Sequence, residues 1–190
     1  MEQEYRGALI DERTEEEKQQ DFQHEEILAA GGSVLKEKSI AEIPFYEVRD
    51  QDGSSTCMNQ AYAKKRGILL KKRGKGYVSL SGGYLYRRKA NQSTPGMSLS
   101  NLMSLGSKVG LPFEVIDPSQ KMTEQQILHL EEQPYTDDVA KLFTDSNEKY
   151  FNIPIDFDIV VNVILQGYPV MLVQYANFDE YNIQPKIIHQ

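Results

Sequence analysis

Between Gly53 and Phe113 the chain carries eleven Lys and Arg residues and not one Asp or Glu. A block this uneven is read as a lobe that docks on acidic neighbours or presents a solvated face, as a nucleic-acid footprint, or as a site for acidic peptides. The rest of the chain supplies the acid: residues 1–28 carry net −7, residues 29–52 net −2 and residues 114–190 net −9, which leaves −7 for the whole. Docking of the basic segment on its acidic neighbours is therefore the leading reading. A nucleic-acid footprint or a site for acidic peptides would use the same bases, but no nucleic-acid motif accompanies them and no nucleic-acid partner is expected. With 190 residues, 39% of them hydrophobic, and 13 Gly and 8 Pro, the chain has the composition of one globular domain or of two small lobes sharing a core.

The most apolar stretch, Phe157 to Ala176, is broken by Asn162, Gln166, Gly167 and Pro169, whereas a membrane span needs roughly 20 apolar residues in a row. The first residues, MEQEYRGALIDERTEEE, are acidic where a secretory signal is basic and then apolar. Neither membrane insertion nor export is expected. The lone cysteine, Cys57, excludes an intrachain disulfide, which fits a reducing compartment such as the cytoplasm. One Cys and three scattered histidines, His24, His129 and His189, give no ligand pair at usable spacing, so no metal and no cofactor is expected.

Residues 11–30 are rich in helix formers and close on Gly31-Gly32, which predicts a helix within an acidic N-terminal extension, residues 1–40, that packs on or near the basic segment. Ile43 to Val48 reads as extended and leads into the loop Asp50 to Ser55. Ser55 or Thr56 is then placed to cap a helix from Cys57 that Gly67 would end. Ser79 or Ser81 opens a second short helix. Leu99, Leu102, Met103 and Leu105 give a third, over Ser98 to Val109. Pro112 and Pro118 bracket an extended segment. Thr123 to Glu132 predicts a helix with its Glu124 to Glu132 face outward, and Asp137 to Phe143 another. Asp156 to Leu165 is apolar nearly all round, which predicts a buried helix, and Val170 to Ala176 reads as a central strand.

A thiol in the first turn of a helix faces the partial positive charge of unpaired N–H groups, which favours the nucleophilic thiolate. Cys57 has that position. Gln51 lies six residues earlier with Gly53, Ser54 and Ser55 between, so the loop can curl to bring the Gln51 amide and the Cys57 N–H to one point, as an oxyanion hole requires.

In VRDQDGSSTCMNQAYAKK, with Gln51 at the oxyanion position and Cys57 at the nucleophile, the chain resembles the papain-like (cathepsin-like) cysteine peptidases. Further segments follow in the family's order. LSGGYLYRR is similar to its LS-x-x-x-L segment; Pro95-Gly96-Met97 and the helix after it are similar to its substrate strand and following helix; IVVNVILQGYPVMLVQY is similar to its helix, turn and strand. The resemblance covers about residues 40–190 and implies an α+β fold of two lobes: a helical lobe over 41–118 carrying the nucleophile helix, and a β-containing lobe over 119–190 formed as an incomplete antiparallel barrel. It implies Gly96 and Met97 as substrate-binding residues and, as general base, a His about 130 to 150 residues beyond the Cys. His189 lies 132 residues beyond Cys57.

The departures are specific. Met58 stands where the family usually has Trp, and Ser54 where it has a disulfide partner. The closest flavour is that of papain-fold proteins of bacteriophage and prophage genomes, which adds a virion-associated location to the cytoplasmic one. The family's Asn or Asp follows the His, and here one residue follows His189. The expectation is a chain that depends on a further C-terminal segment or on a partner chain to complete the barrel. Three readings follow: a thiol peptidase, or part of one, acting on peptide or protein substrates; a structural, virion or binding protein that keeps the fold without turnover; and an amidase acting on cell-wall peptides.

Overall fold

The computed structural model describes residues 8–9, 13–18, 22–23, 46–144, 150–154 and 156–173. At the centre stands α2, with β1 and α1 before it in the chain: β1 is Ala8–Leu9, α1 is Glu15–Lys18, β2 is Phe22–Gln23 and α2 is Cys57–Lys72. α3 (Gly82–Arg87), β3 (Met97–Ser98) and α4 (Leu99–Val109) pack on it, followed by α5 (Glu124–Leu128), α6 (Thr136–Lys141), β4 (Phe151–Asn152) and α7 (Phe157–Leu165). The architecture is mixed and rich in helix.

The core forms where α2, α3 and α4 meet. Met58, Tyr62, Ala63 and Leu70 of α2 are buried with Tyr84 and Leu85 of α3, Leu102 and Met103 of α4, and Leu80 and Leu111 from the connections. Burying each of the larger side chains contributes on the order of 1.5–3 kcal/mol. Beyond α4, Phe113 meets Phe143 edge-on at 5.0 Å. Gly67 does not end α2, contrary to expectation. The helix runs five residues further, and a Cβ at Gly67 would lie 2.3 Å from the Val78 carbonyl oxygen. The missing side chain lets the returning Tyr77-Val78 segment cross the helix.

Serine and threonine signals are met elsewhere. Ser81 caps α3, Ser98 caps α4, Thr123 caps α5 in a capping box and Asp156 caps α7. Between Pro112 and Pro118 the chain turns: Phe113 bridges to Leu80, and Ile116 N–H donates to the Phe113 carbonyl. α7 is not buried. Only Val163 is, while Phe157 is 81% exposed and Ile164 47%. Val170 to Val173 form no strand among the described residues; Met171 and Val173 pack sideways on the core. The remaining residues of the expected strand, 174–176, lie outside the described ones.

The basic segment does dock on acid. Arg87 pairs with Asp117 and, at 2.8 Å, with Glu132; Arg88 pairs with Glu132 and Asp137, both at 2.7 Å. Hydrogen bonds from Arg88, then from Arg87, together with both charges, outweigh burial and hold the Glu132 carboxyl at about 2, well below its ordinary value.

The acidic extension departs from the helix expected over 11–30. Among the described residues of that range helix is found at Glu15–Lys18, where Thr14 and Glu17 exchange hydrogen bonds of 2.8 and 3.2 Å. Phe22–Gln23 is extended and runs parallel to Phe151–Asn152, which a continuing helix would forbid. Ala8–Leu9 runs parallel to Met97–Ser98, in the register Ala8 to Met97 and Leu9 to Ser98. One strand of the extension thus lies on the basic segment and the other on the acidic C-terminal half. Among the described residues both ladders are two-stranded and parallel, and no antiparallel barrel is present.

Candidate active site

The loop into α2 is a tight turn, exposed at Asp52 and Gly53 and buried from Ser54 on. Asp52 and Gly53 both adopt left-handed backbone, with φ of 47° and 71°, which reverses the chain after Gln51. Ser54 closes the reversal: its N–H and its hydroxyl both donate to the Gln51 carbonyl, at 2.9 and 2.6 Å. Ser54, Ser55 and Thr56 are all buried. Thr56 is not the side-chain cap expected of it, because its hydroxyl is engaged with that of Ser54 at 2.7 Å. The Thr56 carbonyl accepts the first helical bond, from Gln60 N–H, so α2 begins at Cys57. Cys57 is half-buried against the core.

Upstream, Arg49 anchors the loop. Its side chain is 4% exposed and pairs with Glu47 and Glu114, both at 2.8 Å, while donating to Gln60 Oε1 and the Leu80 carbonyl. Gln60 Nε2 in turn donates to the Ser119 hydroxyl at 3.1 Å. At the other side Lys121 N–H donates to the Asp50 carbonyl. The start of α2 is therefore tied to the 114–121 turn from two directions.

Gln51 turns its amide onto its own loop, Nε2 donating to the Ser54 carbonyl at 2.9 Å. Gly96 has φ of 82° and leads into β3, which lies against α2. The Met97 side chain points into the core, where Asn59 Nδ2 approaches its Sδ at 3.6 Å, and its backbone carries the ladder with Ala8. His189 and His24 lie outside the described residues. His129 sits exposed at the end of α5, Nδ1 2.9 Å from the Gln125 carbonyl.

One cluster was not legible in the sequence. Tyr86, on α3 and fully buried, donates its hydroxyl to Glu124 and accepts from Gly96 N–H at 3.2 Å. Lys89 lies 3.9 Å over the Tyr86 ring and donates to the carbonyls of Thr94 and Gly96. Burial, then the bond to Glu124, pushes the Tyr86 hydroxyl far up. For Glu124 burial pushes upward, but bonds from Tyr86 and Ser55 and the Lys89 charge prevail and its pKa lies below the usual value. Burial lowers Lys89. Glu124, expected on an outward face, is turned inward, and nothing in its local pattern separates it from its exposed neighbour Gln125.

Two cavities flank these elements. One of about 480 Å³ lies between the far end of α2 and α7, lined by Leu69, Met103, Val163 and Met171; one of about 280 Å³ borders Gly96 to Ser98. Cys57 lines neither. The described residues contain no group of three or more His, Cys, Asp or Glu able to hold a metal, and no helix among them is long and apolar enough to cross a membrane.

The fold as a whole is similar to a solved structure, that of xylellain, a cysteine protease from Xylella fastidiosa, with a TM-score of 0.60. The chain shares its fold with a cysteine protease. Sequence identity to xylellain is 16%, and the alignment covers 85% of this chain and 63% of xylellain, so the chain spans less than two thirds of that protein's length. No family model matches the chain, and neither does any curated protein sequence. At this identity the likeness to xylellain speaks for the fold alone.

Proposed function

We propose that the chain is a papain-like thiol peptidase, or a part of one, in which Cys57 is the nucleophile. The observation that carries this reading is the position of the lone cysteine at the first residue of the central helix, behind a rigid Gln-containing turn, in a fold shared with a cysteine protease. The Cys57 thiolate attacks the scissile carbonyl carbon and forms a C–S bond, with the oxyanion held by the Cys57 N–H and the Gln51 amide. His189 takes the thiol proton and returns it to the leaving amine as the C–N bond breaks. Water then hydrolyses the thioester, giving the acid and restoring the thiol. Gly96 and Met97 hold the substrate backbone.

One observation favours a second reading, a binding or structural protein with the same fold: a Gln51 Nε2 proton is already spent on the Ser54 carbonyl. An amide has two such protons, and the second remains for an oxyanion. The test is turnover of a fluorogenic peptide library by the chain, by Cys57→Ala and by His189→Ala. Cleavage by the first alone supports the peptidase. Binding of peptides without cleavage moves the assignment to the second reading.

A further inference from the structure

The cavity of about 480 Å³ at the far end of α2 has the size that takes one small molecule. Its walls are aliphatic, from Leu69, Met103, Val163 and Met171, and the methionines can fit themselves to a flexible chain. Its charged lining has one sign. Among the described residues Arg13, Lys65 and Arg73 line it and no Asp or Glu does, in a chain that carries 28 acids and 21 bases. Lys65 is turned toward α4, its Nζ 3.7 Å from Met103 Sδ and 4.7 Å from the Tyr62 ring centre. The mouth is apolar and open: Tyr168 and Leu172 line the cavity and are 39% and 69% exposed.

Beside that mouth, four of the five residues 71–75 are basic. The carbonyl end of a helix amounts to about half a negative charge, which four cations far exceed. Lys72 donates to the Gln166 carbonyl at the end of α7 and lies 3.6 Å over the Tyr168 ring, at the rim of the cavity. Lys71 lies 5.1 Å over the Tyr46 ring, and Lys75 is exposed. Among the described residues these three lysines meet no carboxylate, whereas Arg49, Arg87 and Arg88 each pair with two. An ammonium has three protons, so Lys72 keeps donors for an anion beyond its bond to Gln166. We propose that the cavity binds an acyl chain and that Lys72, with Lys71 and Arg73 beside it, holds the anionic head of that chain. A fatty acid carboxylate and a lipid phosphate share this chemistry. Cys57 stands about 24 Å away at the other end of the 16-residue α2, so the acyl site holds whether or not Cys57 cleaves peptides.

Titration calorimetry of the full chain at neutral pH compares three probes: decanoate, decanol, which has the chain without the charge, and acetate, which has the charge without the chain. Decanoate is expected to bind with a Kd at least about tenfold below those of the other two. Lys72→Glu and Leu172→Glu each weaken that binding about tenfold, while Lys108→Glu, the same change of charge at an exposed site on α4, stays within about threefold of the parent. Should Lys72→Glu fail to fold, Leu172→Glu, at the exposed mouth, decides. Sedimentation with phosphatidylglycerol vesicles but not with phosphatidylcholine vesicles, in addition to decanoate binding, assigns the chain to a lipid; decanoate binding without sedimentation assigns it to a free fatty acid. The proposal is overturned if decanoate does not bind, even where vesicles sediment the protein, if decanol binds as tightly, or if Lys108→Glu weakens binding as much as Lys72→Glu.

Discussion

Arg49 and Glu114 stand 65 positions apart in the chain and 2.8 Å apart in space, with side chains 4% and 15% exposed. Glu114 also accepts from the N–H groups of Ser119 and Gln120, at 2.6 and 2.8 Å, so the pair ties the approach to the Cys57 loop to the turn that follows Pro118. Removing one partner leaves the other buried without its counter-charge. Arg49→Ala is expected to cost about 3–5 kcal/mol of unfolding free energy. A denaturation midpoint unchanged from the parent would show that the loop is held by other means.

Glu132 sets an acid limit. Its folded pKa, about 2, lies below its ordinary value of 4.5 because Arg88 and Arg87 stabilise the charged form. A depressed folded pKa contributes stability that is fully present above the unfolded value and is lost as pH falls toward the folded one. Thermal stability should fall between about pH 4.5 and 2, and Glu132→Gln, less stable at neutral pH, should show a flatter decline across that window. Parallel melting curves for the two proteins over that range would remove Glu132 as the cause.

Gly67 offers a test with an unusual sign. Within a helix, Gly→Ala ordinarily gains about 1 kcal/mol. Here the new methyl would meet the Val78 carbonyl oxygen at 2.3 Å and the Tyr77 ring at 2.9 Å. Gly67→Ala is expected to destabilise the chain by about 1–3 kcal/mol, read by urea denaturation. Stabilisation instead would place the 77–78 segment farther from α2.

Cys57 gives the chemical test. Iodoacetamide should modify Cys57 in the folded chain faster than it modifies the same residue in the urea-unfolded chain, because the helix N-terminus favours the thiolate. Equal rates, measured by intact mass, would deny the helix end any effect on the thiol.

The short-range chemistry of this fold was legible in the sequence, and its long-range chemistry was not. Ser98, Thr123 and Asp156 mark helix starts because a cap acts on N–H groups two or three residues away. Gly67 misleads because its function is a contact with Val78, eleven residues on, rather than a helix end. Val170 to Val173 has strand composition, but composition does not supply a ladder partner, and Met171 and Val173 pack against the core instead. In the candidate site, Gln51 and Cys57 can be read together because they stand six positions apart. Glu124 was not legible, since only the packing of α5 on α3 brings it to Tyr86, 38 positions earlier.

The parallel pairing of Ala8–Leu9 with Met97–Ser98 has a quantitative consequence. The edge of β3 is taken by a segment of the same chain, and a tethered segment competes at an effective concentration of roughly millimolar, undiminished by dilution. Any extended segment that adds to that edge must first displace Ala8–Leu9. Its apparent dissociation constant is its intrinsic one divided by the fraction of time the edge stands open, so ligands for this edge are selected for strength as well as for shape.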